Sequence, residues 1–340
     1  MDALADIPLL LTVWVAVLGL VVGSFLNVVV VRVPRGESIV RPRSKCPQCG
    51  HELAFFENIP VFSWLFLRGR CRACQAPISV RYVVLELLTS ALFLACFVRH
   101  GWTYALWPSL VFVSLLLALI FIDAEHWLLP FEITLPGIAL GVGLAWPLGA
   151  SAVQGALWGA TLGFLAFRLI EYLGWLAFRK EAMGGGDKFL FAMVGAFLTH
   201  RALMGVLLLS SIQGAVFGLT RLALTGRAGP GASTEQPLSG ESTAPGQEVE
   251  NMPWAFLAPG LSWWRRCLAI PYAIFLQPIP DVPMEASSVE TLQEEWTPGE
   301  THLPFGPWIA VAGIELLLFG PWLSGHFPLL RQAGFILGGM

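Results

Sequence analysis

The sequence predicts an all-α polytopic membrane protein with about eight transmembrane helices and a polar loop between the first two. Three observations predict this fold. The chain of 340 residues is 56% hydrophobic and 13% charged, and its mean hydropathy of +0.68 excludes an ordinary soluble domain. Windows of about 20 apolar residues, long enough to cross a bilayer as helices, recur along the chain. Two CxxC motifs stand in one polar loop near the N-terminus.

The apolar windows define eight predicted spans. They cover roughly residues 8–31, 82–98, 103–122, 132–148, 151–176, 188–200, 203–224 and 305–323. The first follows Asp2 and Asp6 and lacks the basic region of a cleavable signal, so we interpret it as a membrane helix. Asn27 within it is expected to make an interhelical hydrogen bond. Arg168 and Glu171 in the fifth span lie three apart on one helical face and are expected to pair.

The charges of the first loop predict the orientation. Between Arg32 and Arg81, both included, there are nine lysines and arginines and three glutamates. By the positive-inside rule this loop lies in the cytoplasm and the N-terminus lies outside. Alternation of the following spans then puts Asp123 and Asp187 at the cytoplasmic ends of their helices, at similar depth.

The two CxxC motifs of this loop predict a metal site. Cys46-Pro47-Gln48-Cys49 and Cys71-Arg72-Ala73-Cys74 are separated by 21 residues, a spacing typical of a tetrahedral structural zinc site. Disulfides are the alternative, which a reducing cytoplasm disfavours. A closed shell of four thiolates leaves no open position, so the zinc would stabilise the loop and would not activate water. His51, beside the second thiol, is interpreted as a surface residue.

Two acids at the ends of apolar runs are candidate functional residues. Asp187 follows Gly184-Gly185-Gly186, and glycines let another backbone come close. A glycine turn with an N-cap Asp is the structural alternative, and for Asp123 the alternative is an acid at the membrane interface. Two adjacent carboxyl groups that share one proton can hydrolyse a peptide without a metal. Motifs of serine hydrolases (GxSxG) and zinc proteases (HExxH) are missing from the sequence.

Several motifs together resemble a known family. They are Gly23-Ser24-Phe25-Leu26-Asn27-Val28, the paired CxxC loop, Glu57-Asn58-Ile59-Pro60, Arg81-Tyr82 with Glu86-Leu87, Asp123 with Leu129-Pro130, and the stretch from Glu181 to Asp187, which contains a GxGD motif. In this combination they resemble the bacterial type IV prepilin peptidases, which are eight-helix aspartic proteases of the inner membrane. Members remove the basic leader of prepilins and pseudopilins at the cytoplasmic face, and many then methylate the new amine with S-adenosylmethionine.

The resemblance implies roles for particular residues. Asp123 and Asp187 would be the catalytic pair, and Cys46, Cys49, Cys71 and Cys74 would bind zinc. Gly184, Gly186, Lys188 and Glu86 would support the substrate site. For Glu86 three roles stay open: orienting the site, binding the new amine of the substrate, or reaching to the membrane interface. Lys188 follows the second Asp directly, whereas the family usually places a lysine one position later.

The predicted domains follow from these motifs. Residues 1–33 form the first membrane helix, 34–81 the zinc loop, 82–224 the peptidase core, 225–304 a cytoplasmic insertion, and 305–340 the last helix with a tail. The insertion is expected to be partly disordered, with an aromatic interfacial segment at 254–279 and an acidic stretch at 281–300. We interpret it as a solvated extension, with a dock for leaders or pilus machinery as the alternative.

The predicted partners are prepilin or pseudopilin substrates and membrane lipid, with pilus or type II secretion machinery as a further partner and no nucleic acid. The arginines of the loop are expected to contact lipid headgroups, and acids such as Glu57, Glu125 or Glu181 would then recognise a basic leader. Two rival functions remain: a general intramembrane GxGD protease, and a transporter or scaffold that uses the acids for ion coupling.

Overall fold

The computed structural model describes residues 9–41, 43–46, 48–178, 185–225 and 305–326. The chain divides into two compact units. The first consists of Met1–Phe217 together with Pro304–Met340, and the second is Gly218–Leu303. Gly184, Glu181, residues 226–304 of the predicted insertion and the tail after residue 326 lie outside the described residues, so the predictions made for them stay predictions. The two acids and the four cysteines of the predicted sites all belong to the first unit.

This unit is built from α-helices, and its described residues contain no strand beyond the isolated bridges Lys45–Glu52 and Arg70–Pro77. The helices are α1 (Leu9–Arg32), α2 (Phe62–Phe66), α3 (Arg81–His100), α4 (Leu106–His126), α5 (Phe131–Ala145), α6 (Ala150–Phe178), α7 (Asp187–Thr225) and α8 (Gly306–His326). Short 3₁₀ turns lie at Val33–Arg35, Phe55–Asn58 and Trp146–Leu148. The predicted all-α fold is confirmed.

Seven helices of the described ranges are long and apolar enough to cross a membrane, and one of them, within α7, is interrupted. Thr199 has φ 64° and ψ 169°, which is not helical. A Cβ on Gly195 would lie 3.2 Å from Cδ2 of Leu203, whereas positions eight apart in a straight helix are separated by about 12 Å. The chain therefore reverses at Thr199. The sixth and seventh predicted spans are the two arms of this hairpin, so about eight membrane helices are present as predicted.

Small residues let the first helices approach closely. A Cβ added to Gly19 would lie 2.5 Å from the Cα of Ser90, and one added to Gly23 would lie 2.6 Å from the Cα of Glu86. Close backbone contact of this kind is a common way for helices to associate in lipid, where no hydrophobic effect drives them together. Asn27 Nδ2 donates to the Tyr82 carbonyl at 3.1 Å, which confirms the predicted interhelical hydrogen bond between α1 and α3.

The same packing joins α6 to the first arm of α7. Gly159 and Gly195 are in backbone contact, and a Cβ on Gly163 would lie 2.8 Å from the Phe191 carbonyl oxygen. Because Gly159 and Gly163 are four residues apart, they lie on one face of α6. The first arm of α7 is therefore held against the middle of α6, which fixes the depth of Asp187 in the bundle.

Candidate active site and metal centre

Asp123 lies in the last turn of α4, where the helix stops abruptly. Four residues later, Trp127 has a left-handed conformation with φ 56°, and its N–H donates to the Asp123 carbonyl at 3.0 Å. The Asp123 side chain is buried, with 5% of the residue exposed. An acid in apolar surroundings is costly unless it has a function or a partner.

Asp187 is the first residue of α7. The Gly186 carbonyl accepts the N–H of Leu190 at 3.1 Å, so Gly186 is the N-cap and Asp187 occupies the first helical position. A carboxylate there interacts favourably with the positive end of the helix dipole. Only 6% of Asp187 is exposed, so this acid is not a solvated capping residue of the kind that a glycine turn alone would predict.

The two acids meet at one end of the bundle, around Leu129. A Cβ on Gly186 would lie 2.6 Å from the Leu129 Cβ, and one on Gly306 would lie 3.1 Å from its Cδ1. The same Cβ on Gly306 would lie 2.5 Å from Oδ2 of Asp123. Gly186, directly before Asp187, and Gly306, which contacts Asp123, thus pack against the same leucine. The starts of α7 and α8 therefore pack on the turn that follows Asp123, and glycine at both positions is what allows it.

A small ionic cluster lies beside the second acid. Arg168 Nη1 is 2.9 Å from Glu171 Oε2, which confirms the pairing predicted on α6. Lys188 Nζ is 3.3 Å from the same oxygen. This contact between α6 and α7 was not predicted, since the two residues are not neighbours in the sequence. Lys188 thus pairs with Glu171, next to Asp187, and whether it also supports a substrate remains a prediction.

The face of α4 that carries Asp123 is packed against α8. Leu116, two turns earlier, lies 3.3 Å from the position of a Cβ on Gly313. The opposite face of α4 lines a groove of about 420 Å³ with α1 and α5, through Val111, Ser114 and Ala118. At 100° per residue those three positions point away from Asp123. The apolar groove is therefore not the cleft of the two acids.

Charged residues link the start of α3 to the end of α4. Arg81 and Glu125 form an ion pair, and the His126 ring lies 3.9 Å from the same carboxylate. Glu125 is two positions from Asp123, so the chain that leaves the polar loop is tied to the candidate active site. Glu125 is already engaged in this pair, which leaves it less available to recognise a basic leader than the sequence suggested.

The four cysteines of the loop form one cluster, and their sulfur atoms all lie within 4.8 Å of one another. The Sγ atoms of Cys46 and Cys74 are 3.8 Å apart, and those of Cys49 and Cys71 are 3.9 Å apart. None of the four is in a disulfide. The pKa of Cys46 is lowered to about 7, chiefly because the backbone N–H groups of Cys49 and then Gln48 donate to its sulfur. A thiolate is the form that binds metal, so this cluster can hold a metal ion.

The Glu57 carboxylate contacts three other residues of the same loop. Its Oε2 accepts the Ala54 N–H at 2.9 Å and lies 3.2 Å from His51 Nε2, while Arg72 lies 3.7 Å from its Oε1. The Ala54 N–H, and then His51 and Arg72, lower the pKa of this carboxyl. Glu57 is buried, so it is not a surface acid for a leader. His51 is exposed, as expected of a surface residue, and its ring also contacts Glu57.

Glu86 joins the loop to the bundle. Its carboxylate is buried in the second turn of α3, and its Oε2 accepts the Val61 N–H at 2.7 Å. Val61 has φ 61° and ψ −50°, an unfavourable conformation for a β-branched residue, which persists only where the surroundings hold it. Among the roles considered for Glu86, this contact favours a positioning one.

Comparison with known proteins finds matching family models and similar sequences. Two family models match it: "Bacterial Peptidase A24 N-terminal domain" over residues 17–100 and "Type IV leader peptidase family" over residues 110–219. A prepilin leader peptidase/N-methyltransferase of Myxococcus xanthus is 55% identical over 331 residues, which is 97% of this chain and 96% of the relative.

More distant relatives cover a smaller share of the chain. A prepilin leader peptidase/N-methyltransferase of Stutzerimonas stutzeri is 38% identical over 66% of this chain and 85% of its own length. An Escherichia coli O78:H11 protein named type 4 prepilin-like proteins leader peptide-processing enzyme is 35% identical over 64% of this chain and 88% of its own length. No solved structure is significantly similar to the chain.

Proposed function

The chain belongs to the type IV leader peptidase family, and from this premise we propose that Asp123 and Asp187 cut the leader from a type IV prepilin or pseudopilin. The observation that carries the proposal is the meeting of two buried acids, from different helices, at one end of the helical bundle. The N-methylation named for its relatives is the second activity.

The two carboxyl groups divide the hydrolysis between them. Because adjacent negative charges repel, such a pair holds one proton. The ionised carboxylate takes a proton from the attacking water, while the protonated one donates to the oxygen of the scissile carbonyl. As the C–N bond of the tetrahedral intermediate breaks, the proton taken from water passes to the leaving nitrogen. A hydroxyl of the intermediate returns its proton to the second carboxylate as the new carboxyl group forms, so the pair again holds one proton. The proton-sharing pair titrates as a unit, so the base is not assigned to either residue.

Zinc is the metal that fits the loop best. With Zn–S bonds of about 2.3 Å, the sulfurs of a tetrahedral four-thiolate site lie about 3.8 Å apart, and the two pairs here are 3.8 and 3.9 Å apart. Four thiolates leave no open position for water or substrate. The metal therefore stabilises the loop, and peptide hydrolysis is left to the two aspartates.

The loop also has a cavity whose polar groups fit S-adenosylmethionine, the methyl donor. About 290 Å³ in volume, it is lined by His51, Glu57 and Arg72, and Glu57 Oε1 has no hydrogen-bond partner among the described residues. Arg72 and Glu57, which lie 3.7 Å from each other, would turn to the carboxylate and the ammonium group of the donor respectively. The donor supplies the methyl group, and an uncharged amine must receive it.

The arginines of the loop support an orientation for the site. By the positive-inside rule the loop faces the cytoplasm of a bacterium and the protein lies in its inner membrane. Arg81 and Glu125 tie the loop to the end of α4, so Asp123 is at the cytoplasmic side as well. Prepilin leaders would then be cut at the cytoplasmic face.

The test compares the prepilin cleavage rates of variants that each lack one acid at this end of the bundle. Purified protein in phospholipid nanodiscs is incubated with a prepilin, and cleavage is followed by mass spectrometry. We expect Asp123→Asn and Asp187→Asn each to lose roughly 10²–10⁴-fold in cleavage rate, the usual contribution of acid–base groups. Glu132→Gln is the matched control, because Glu132 lines the groove on the opposite face of α4, and it should cut at the wild-type rate.

Cleavage by either Asn variant within tenfold of wild type would contradict the proposal. If the wild-type protein does not cut prepilin but carries a cation flux, and Asp187→Asn loses that flux, the ion-coupling function is favoured instead. Methylation is read from the same spectra, since the product gains the mass of one methyl group only when S-adenosylmethionine is present.

A further inference from the structure

The polar loop carries a cluster of exposed apolar side chains that neither the metal nor the active site uses. They lie on and just before α2: Ile59, Phe62, Leu65 and Phe66. Phe62 is 67% exposed, Leu65 59% and Phe66 88%. A contiguous apolar patch of this kind on a soluble surface would be an aggregation hazard, so it indicates an interaction site.

The contact with Glu86 shows the depth of this patch. Glu86 lies five residues into α3, a helix whose span begins at Arg81, and at 1.5 Å per residue it is about 7.5 Å inside that end. The Val61 N–H reaches it. Because the side chains of a helix lean toward its N-terminus, the residue directly before α2 lies beside the first turns of this membrane-spanning helix, the level at which headgroups meet acyl chains.

Contacts of Trp64 also fix the orientation of α2 within the loop. Trp64 Nε1 donates to the Ile78 carbonyl at 3.1 Å, three residues before α3 begins. The Trp64 ring also packs on Gly69, where a Cβ would lie 2.8 Å from it. With the middle of α2 held against the segment that leads into α3, Phe62 and Phe66 are left on the outer surface.

The charges beside the patch match a lipid surface. Arg68 and Arg70 follow α2 directly and are exposed, and no ion pair is found for either within the described part of the loop. An apolar face flanked by arginines is the pattern of a helix that lies in the membrane interface, with its cations at the lipid phosphates. A protein partner would not explain why the patch begins beside the first turns of a membrane-spanning helix.

We propose that residues 59–66 form an interfacial anchor, in which Phe62, Leu65 and Phe66 insert among the acyl chains of phospholipids and Arg68 and Arg70 contact their phosphates. The anchor holds the cysteine loop flat against the bilayer, at the end of the bundle where Asp123 and Asp187 lie. This function does not depend on the peptidase activity.

Photo-crosslinking in the full-length protein tests the anchor. Phe66 is replaced by p-benzoylphenylalanine, which keeps an aromatic ring, in nanodiscs of phosphatidylethanolamine and phosphatidylglycerol. The matched control carries the same residue at Gln75, an exposed position in the turn after the second CxxC motif. After irradiation, peptide mass spectrometry should find on the order of tenfold more lipid adduct at position 66, because only an inserted side chain is surrounded by acyl chains.

The same substitution at Phe62 gives a second measurement of lipid adduct. The metal content of each sample shows whether the loop is folded. More lipid adduct at 62 and 66 than at 75 supports the anchor. Equal adduct at all three positions overturns it. A crosslink from position 66 to added prepilin, or to a second copy of the chain, in place of lipid also overturns it, since the patch would then be a protein-binding surface.

Discussion

The cysteine loop and the helical bundle meet at the candidate active site, yet they are stabilised in different ways. Between Val33 and Val80, the buried positions that the structure describes are Cys46, Glu57, Gly69 and Cys71. The bundle instead buries a continuous apolar core that includes Leu116, Ile122 and Leu190. The loop has almost no hydrophobic core, so it depends on its metal ligands and on Glu86, whereas the bundle depends on packing. Substitutions should therefore damage one region and spare the other.

The largest effect is expected from loss of a metal ligand. In Cys71→Ser a buried thiolate is lost, and structural zinc sites of this type supply roughly 10–16 kcal/mol of apparent binding free energy. We expect the variant to lose its metal and the loop to unfold, while the bundle keeps its helices. Metal content and proteolysis at residues 36–80 report on the loop, and far-UV circular dichroism reports on the bundle.

Cys96→Ala is the control for that variant. Cys96 is also buried, but it lies in α3 within the apolar core, so its removal should leave the metal in place and lower the stability of the bundle by only about 1 kcal/mol. If Cys71→Ser kept its metal, or if the bundle melted together with the loop, the separation of the two regions would be wrong.

The next effect should appear in the bundle alone. A Cβ at Gly23 would lie 2.6 Å from the backbone Cα of Glu86, which no side-chain movement can relieve. Gly23→Ala is expected to lower the free energy of unfolding by about 3 kcal/mol, the upper end of typical overpacking costs. Thermal melting in detergent measures it, with metal content unchanged.

Gly143→Ala in α5 is the matched control, because nothing lies within 4 Å of a Cβ at that position. Helical alanine without a clash is neutral or slightly stabilising. A Gly23→Ala protein that melts with this control would mean that α1 and α3 can separate without loss, contrary to their close backbone packing.

Hydropathy was sufficient to predict the bundle, because the thickness of the bilayer sets the length of each apolar run. The break expected between the sixth and seventh predicted spans lies at Thr199, and the four cysteines cluster as their spacing indicated. Such features depend on residues close in sequence or on a fixed ligand geometry. They require no knowledge of how the helices are rotated against each other.

The contacts around the acids could not be predicted in the same way. Leu129 meets Gly186 and Gly306 only because three helices converge on one turn. Lys188 pairs with Glu171 because α6 and α7 pack through glycines. Each contact is set by helix rotation and depth, which a single sequence does not determine. The sequence pattern therefore named the two acids but not the residues that hold them together.

The smallest expected effect concerns the joint between the two regions. Glu86→Ala removes the acceptor of the Val61 N–H, and a buried donor left without a partner costs about 1–3 kcal/mol. Glu86→Gln keeps an oxygen at the same place and should lose much less. By hydrogen exchange, amides at 59–66 should open roughly tenfold more often in the Ala variant, since about 1.4 kcal/mol corresponds to that factor.

Because neither the cysteines nor the helix packing changes, metal content and melting temperature should stay as in wild type. Unchanged exchange in Glu86→Ala would show that another contact holds α2 in place, and loss of the metal would show that the loop cannot fold apart from the bundle.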